Sequence, residues 1–288
     1  MIKLLRTFIM LGLLTTMGYF GLITYQHAKA YEMTTSQIAA ACDANGLASG
    51  KIDELTSIIS FGLVKNESKI LLQELREKQR VSKNKSTLYL YYFMGVLGAI
   101  LLSAFSCTLR GAALTLSFAT FISLIYGLIN PILMVTIHKE VEYLGDVILS
   151  FESKGIIGSI NKLFETGETA VAITILLFSV LLPLLKSLTL TSTLLFHKHP
   201  WSRHLVNFFK HIGKWSMIDV FVVATFLVYL TSNGGGISEA EIQVGLYFFL
   251  VYVILSMITA ILTQKVLEVA SLLPKIGEAK AITSEKKS

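Results

Sequence analysis

Six apolar stretches dominate this chain: residues 7–25, 87–109, 112–137, 169–190, 217–230 and 242–263. Crossing about 30 Å of hydrocarbon takes roughly 20 mostly apolar residues in a helix, because lipid offers no partner for an unpaired backbone amide. Five stretches meet that length, and Gly213 to Trp215 extend the shorter fifth one at the interface. The spans leave little for any other class. Of the 288 residues 53% are hydrophobic and 15% are charged, with a mean hydropathy of +0.65, whereas soluble domains carry about 25% charged residues. Disorder, collagen and a disulfide-rich secreted scaffold are excluded too. The predicted fold class is all-α: a polytopic helical membrane protein with six transmembrane helices.

Lysine and arginine near the span ends set the expected orientation. Lys198, Arg203, Lys210 and Lys214 share a loop with no acid, and Lys265, Lys275, Lys280, Lys286 and Lys287 follow the sixth span, so both regions are expected in the cytoplasm. The loop 138–168 has six acids against three lysines, and 231–241 has Glu239 and Glu241 with no base, so both are expected outside. Lys3 and Arg6 place the N-terminus inside. Against this runs Arg76, Lys78, Arg80, Lys83 and Lys85, which abut the second span on the external side. A segment as long as 26–86 translocates largely regardless of charge. The first span is read as a signal anchor, with a cleavable signal peptide ending near Ala28-Lys29-Ala30 as the alternative.

The expected organisation is therefore an anchor at 1–25, an external helical segment at 26–86, a second span at 87–110, a four-helix module at 111–264 and a cytoplasmic tail at 265–288. In the outer segment Ile52, Leu55 and Ile59, then Leu71 and Leu75, recur at helical spacing. In the loop after the third span, Val141, Leu144, Ile148 and Phe151 form one helical stripe, and Ile156, Ile160, Leu163 and Phe164 another. Both are expected to pack on the outer ends of the bundle.

No phosphate loop, HExxH, nucleophile elbow or CxxC pair occurs, so no catalytic residue, metal site or cofactor is expected, and no nucleic-acid partner. His197, His199, His204 and His211 invite a metal. The better account is an interfacial helix, since Trp201, Leu205, Phe208 and Ile212 fall on one stripe with Arg203, His204, Lys210 and His211 off it. The informative residues are charges inside apolar runs. Lys186 stands near the cytoplasmic end of the fourth span and Asp219 near the cytoplasmic start of the fifth. Antiparallel spans bring the two to similar depth, and a carboxylate beside a lysine is tolerable where either alone is costly. Ser179 lies two turns before Lys186, Ser216 one turn before Asp219, and Ser256 at a comparable level in the sixth span. Pro183 is positioned to kink the fourth span. A salt bridge that only fixes helix pairing is the structural alternative.

At these residues the chain resembles the paraquat-inducible protein A family. The matching stretches are SINKLFETGETA at 159–170, LLPLLK at 181–186, GKWSMIDVFVVA at 213–224 and GLYFFLVYVILSM at 245–257, with Asn130-Pro131 before the outer loop. The resemblance implies a four-helix bundle in the inner membrane of bacteria with a two-membrane envelope. It implies lipid movement between membranes, beside a tunnel-forming protein with mammalian-cell-entry domains. It also implies functional weight on Ser179, Lys186, Ser216, Asp219 and Ser256. Longer members carry two such modules and zinc ribbons; this chain has one module and no ribbon, and its first 110 residues match nothing in the family pattern.

A lipid-handling membrane subunit is thus expected, with membrane lipids as partners and protonation of Asp219 as one coupling step. The rival is a non-transporting scaffold or envelope-stress assembly factor whose outer segment binds an envelope protein. A redox enzyme is disfavoured by two distant cysteines and no cofactor motif.

Overall fold

The computed structural model describes residues 2–41, 67–141, 145–195 and 238–285. Its body is all-α. Six helices are described: α1 (Ile2–Ala41), α2 (Glu67–Phe105), α3 (Leu109–Ile129), α4 (Ile156–Glu165), α5 (Thr169–Leu195) and α6 (Val244–Glu285). All but α4 contain a stretch long and apolar enough to cross a membrane. Large apolar side chains face outward along them, among them Phe8, Leu102, Leu185, Leu188 and Ile261. In water such faces would be a liability; in lipid they are the expected surface. The protein is a multi-pass membrane protein. The predicted fifth span, 217–230, lies outside the described residues.

Helices α1 and α2 form an antiparallel pair. Near one end the Ser103 hydroxyl donates to Met10 Sδ at 3.3 Å, and near the other Gln79 Nε2 donates to Thr35 Oγ1 at 2.8 Å. Both helices run past the apolar stretches. The basic residues Arg76 to Lys85 occupy the continuation of α2, and residues 26–41 continue α1 without a break. A tight turn at Ser106-Cys107 leads into α3, which Thr108 caps by accepting from the Gly111 amide at 3.3 Å.

The third span is shorter than expected. It ends at Ile129, not at residue 137, because Pro131 disfavours the helical conformation at Asn130, whose backbone is extended. The chain then enters β1 (Leu133–Val141), which pairs antiparallel with β2 (Gly145–Lys154). On its other side β1 pairs with β3 (Ser238–Ile242), giving the order β2-β1-β3. The helical stripe expected at Val141, Leu144, Ile148 and Phe151 is therefore corrected to paired antiparallel strands at Val141, Ile148 and Phe151, with Leu144 outside the described residues. Val135-Thr136-Ile137 and Val147-Ile148 are rich in β-branched residues, which suit a pleated surface better than a helix. A register shift between Ile137 and His138 places Leu149 opposite no partner. The second stripe does form a helix, α4, with Ile160 buried and Ile157 and Phe164 exposed. The sixth span also starts later than expected, because Ile242 ends β3 and the helix begins at Val244.

This small sheet gathers the ends of three helices. It follows α3, precedes α4 and, through β3, leads into α6. Gln243 N donates to Ile132 O and Gly245 N to Pro131 O, both at 2.9 Å, so the start of α6 is stitched to the break after α3. Close approach needs glycine here. A Cβ on Gly245 would stand 2.5 Å from Pro131 O, and one on Gly127 would stand 3.0 Å from the Phe249 backbone. Below this junction Phe93 and Phe248 meet edge to face at 4.7 Å in a core that joins α1 and α2 to α3 and α6. The Tyr126 hydroxyl donates to Gly18 O at 2.7 Å, with its ring seated against Gly21 of α1.

Candidate functional site

The interior between α3, α5 and α6 is lined with hydroxyls. Small side chains let apolar helices approach closely, and Ser and Thr can satisfy one another across the gap. Ser117 of α3 shares a hydrogen bond with Thr191 of α5 at 2.7 Å, and Thr120 of α3 with Thr259 of α6 at 3.2 Å. Ser123 turns back on Ala119 O at 2.9 Å, and Thr263 on Thr259 O at 2.7 Å. Ser117, Thr120, Ser123, Ser187, Ser256, Thr259 and Thr263 are all buried.

Helix α5 is irregular where it enters this seam. Residues Leu176–Leu181 form a π-helical turn in which the Leu182 amide donates to Leu177 O, five residues back. Pro183 follows, and a proline lacks the amide and crowds the carbonyl four residues before it. Widening the preceding turn relieves that clash, and such turns recur at functional sites. Ser179 sits buried on this turn, and Lys186 lies half-buried one turn past the proline.

Tyr252 of α6 donates its buried hydroxyl to Pro183 O at 3.5 Å, which sets the register of α5 and α6. Both helices run away from the sheet. Four residues on, about 6 Å further along each axis, stand Ser187 and Ser256. Among the described residues neither hydroxyl has a hydrogen-bond partner. The structure thus places Ser179, Lys186 and Ser256 in or beside one seam on neighbouring helices. Ser216 and Asp219 lie outside the described residues, as do Trp201, Leu205, Phe208, Ile212 and the histidines near them. Ser117, Thr120, Ser187, Thr191 and Thr259 were not singled out from the sequence. Their signal was present in Ser256, Thr259 and Thr263, which fall on one helical face inside an apolar run.

The family model described as Paraquat-inducible protein A matches residues 111–267, more than half of the chain. The chain belongs to the paraquat-inducible protein A family. The match begins two residues into α3 and ends within α6, so it holds the sheet, the π-helical turn and every residue of the seam. The α1–α2 pair lies outside it. No curated protein and no solved structure matches the chain. Among the described residues no three His, Cys, Asp or Glu side chains come together as a metal site would require.

Proposed function

We propose that the protein is a non-enzymatic inner-membrane subunit that handles or transports lipid across the bacterial envelope. Its termini lie in the cytoplasm, the sheet faces the periplasm, and a mammalian-cell-entry-domain tunnel protein stands beside it. The observation that carries this is the pair of unpartnered hydroxyls, Ser187 and Ser256, buried in the seam of the family module. Hydrogen bonds between transmembrane helices contribute only about 0.6 kcal/mol on average. A buried polar group left without a partner costs about 1–3 kcal/mol. The seam therefore gains less from its three described interhelical bonds than the orphaned hydroxyls cost. A seam kept only to hold helices together would favour apolar side chains there. Hydroxyls that await a polar guest suit a path for lipid headgroups.

Lys186 and Asp219 are proposed as neighbours across α5 and the fifth span, with Ser179 and Ser216 completing the polar cluster. The test is complementation of an envelope-permeability defect by Lys186→Gln, by Asp219→Asn, and by the double replacement Lys186→Met with Asp219→Leu. Membrane levels and gel-filtration profiles are followed in parallel. A transport role predicts normal levels with lost complementation for all three. Asp219→Asn should also be less stable than the double variant, since it strands the lysine. Full complementation by the double variant would sink the proposal. It would favour the scaffold role, for which changes in the outer segment 26–86 should then be the damaging ones.

A further inference from the structure

A second site lies away from the seam, where the α1–α2 pair meets the start of α6. A cavity of about 190 Å³ opens there between α1, α2 and the β3–α6 junction. Along α2 its lining runs Lys83, Ser86, Leu90, Met94, with Thr87 and Tyr91 beside them; along the facing wall it runs Glu241, Gln243, Val244, Tyr247. Both walls pass from charged to polar to apolar in the same direction, over roughly 16 Å along α2.

The mouth is a built polar site. Lys83 Nζ pairs with Glu241 Oε1 at 2.5 Å and lies 5.9 Å above the Tyr31 ring. Tyr31 is 6% exposed and donates its hydroxyl to Glu241 Oε2 at 2.9 Å. Beneath them Ser86 is 4% exposed and Gln243 7%. Both line the cavity; Ser86 Oγ has no hydrogen-bond partner among the described residues, while the Gln243 amide is turned toward the Tyr31 hydroxyl. A buried hydroxyl without a partner and an amide donor at the wall of a cavity, beneath an ammonium, are groups that a phosphate oxygen would satisfy. The half-exposed Glu241 carboxylate beside them would accept an ammonium. The floor of Leu90, Met94 and Val244 can take only apolar groups. Tyr91 and Tyr247 are 68% and 47% exposed at this level. The apolar run of α2 begins at residue 87, so the cavity straddles the membrane–water boundary, where tyrosines concentrate.

We infer that this cavity holds the headgroup of a zwitterionic phospholipid of the ethanolamine class. Its phosphodiester would rest on Lys83, Ser86 and Gln243, its ammonium on Glu241, and the upper part of one acyl chain against Leu90 and Val244. Half of the site comes from α2, which the family match does not cover. The chain's own N-terminal hairpin would thus add a lipid site to the module. The inference deepens the lipid-handling proposal, yet binding here does not depend on the Lys186–Asp219 pair.

The test uses the full-length protein, purified in detergent and delipidated, with 1-palmitoyl-2-oleoyl-phosphatidylethanolamine added back. Native mass spectrometry reads bound lipid and a melting curve reads stabilisation. One lipid should bind to the wild type and raise its melting temperature. Lys83→Gln and Ser86→Ala should each weaken binding at least about tenfold, while the lipid-free melting temperature of Ser86→Ala stays at or above that of the wild type. Soluble phosphoethanolamine at millimolar concentration should fail to displace the lipid, and phosphatidylglycerol should bind more weakly. Unchanged lipid binding in both variants would overturn the site. Displacement by soluble phosphoethanolamine would overturn the lipid as its occupant. A negative result here together with lost complementation by the Lys186 and Asp219 variants removes this site alone; the reverse pattern removes the transport proposal and leaves the site.

Discussion

Replacing Gly245 by alanine should be among the most damaging small changes in this protein. Gly245 is the second residue of α6, at the point where that helix meets the end of α3. A new Cβ would meet Pro131 O at 2.5 Å, Asn130 O at 2.7 Å and Pro131 C at 2.9 Å. Ordinary contact starts near 3.4 Å, and the obstructing atoms are backbone, so no side chain can swing aside. Relief requires α6 to retreat from Asn130-Pro131. That movement stretches the bonds from Gly245 N to Pro131 O and from Gln243 N to Ile132 O. Overpacking a tight interior costs about 1–3 kcal/mol, and each weakened hydrogen bond up to about 1 kcal/mol more. The expected loss is therefore about 2–4 kcal/mol, which for a chain of this size lowers Tm by roughly 3–7 °C. The assay is thermal unfolding of the purified protein in a single detergent. Gly158→Ala is the control, because a Cβ there meets nothing within 4 Å on α4. It should leave Tm unchanged or raise it, since alanine favours helix over glycine by up to about 1 kcal/mol. A Gly245→Ala protein melting with the wild type would mean that α6 does not start against the α3 break, and the junction described above would be refuted.

Tyr126→Phe removes the hydroxyl that donates to Gly18 O at 2.7 Å. It should cost about 0.5–1.5 kcal/mol, as a neutral hydrogen bond does. The loss should show as faster amide exchange or proteolysis in α1 while α3 and α6 keep their protection; equal loosening of all three helices would argue against a separate hairpin dock. Cysteine labelling should find Ser153→Cys and Ser238→Cys reactive from the periplasm and Asn207→Cys and Ser288→Cys only after permeabilisation, from the base-to-acid contrast between those loops. Labelling of Ser153→Cys from the cytoplasmic side alone would invert the proposed orientation.

The helical membrane class was legible in the sequence because its cause is local. A run of apolar residues must hydrogen-bond its own backbone in lipid, and only a helix does that within one segment. Asn130-Pro131 carries a stop signal of the same local kind, although the apolar run that continues to residue 137 hides it and the third span was expected to reach that far. The sheet was not legible. Val141, Leu144, Ile148 and Phe151 satisfy a helical period, while Val147, Leu149 and Phe151 satisfy a strand period. The partner that tips β1 toward a strand on its second edge is β3, about a hundred residues later. The sequence put Ser256 at about the level of Lys186, but that Ser187 faces the same seam beside it follows from the register of Tyr252 against Pro183. The cavity at Lys83 and Glu241 joins residues of α2 with residues that follow β3. What a segment does to itself is written in its own residues. What two segments do to each other depends on register and close approach, which a one-residue shift would change while leaving the composition of both segments as it was.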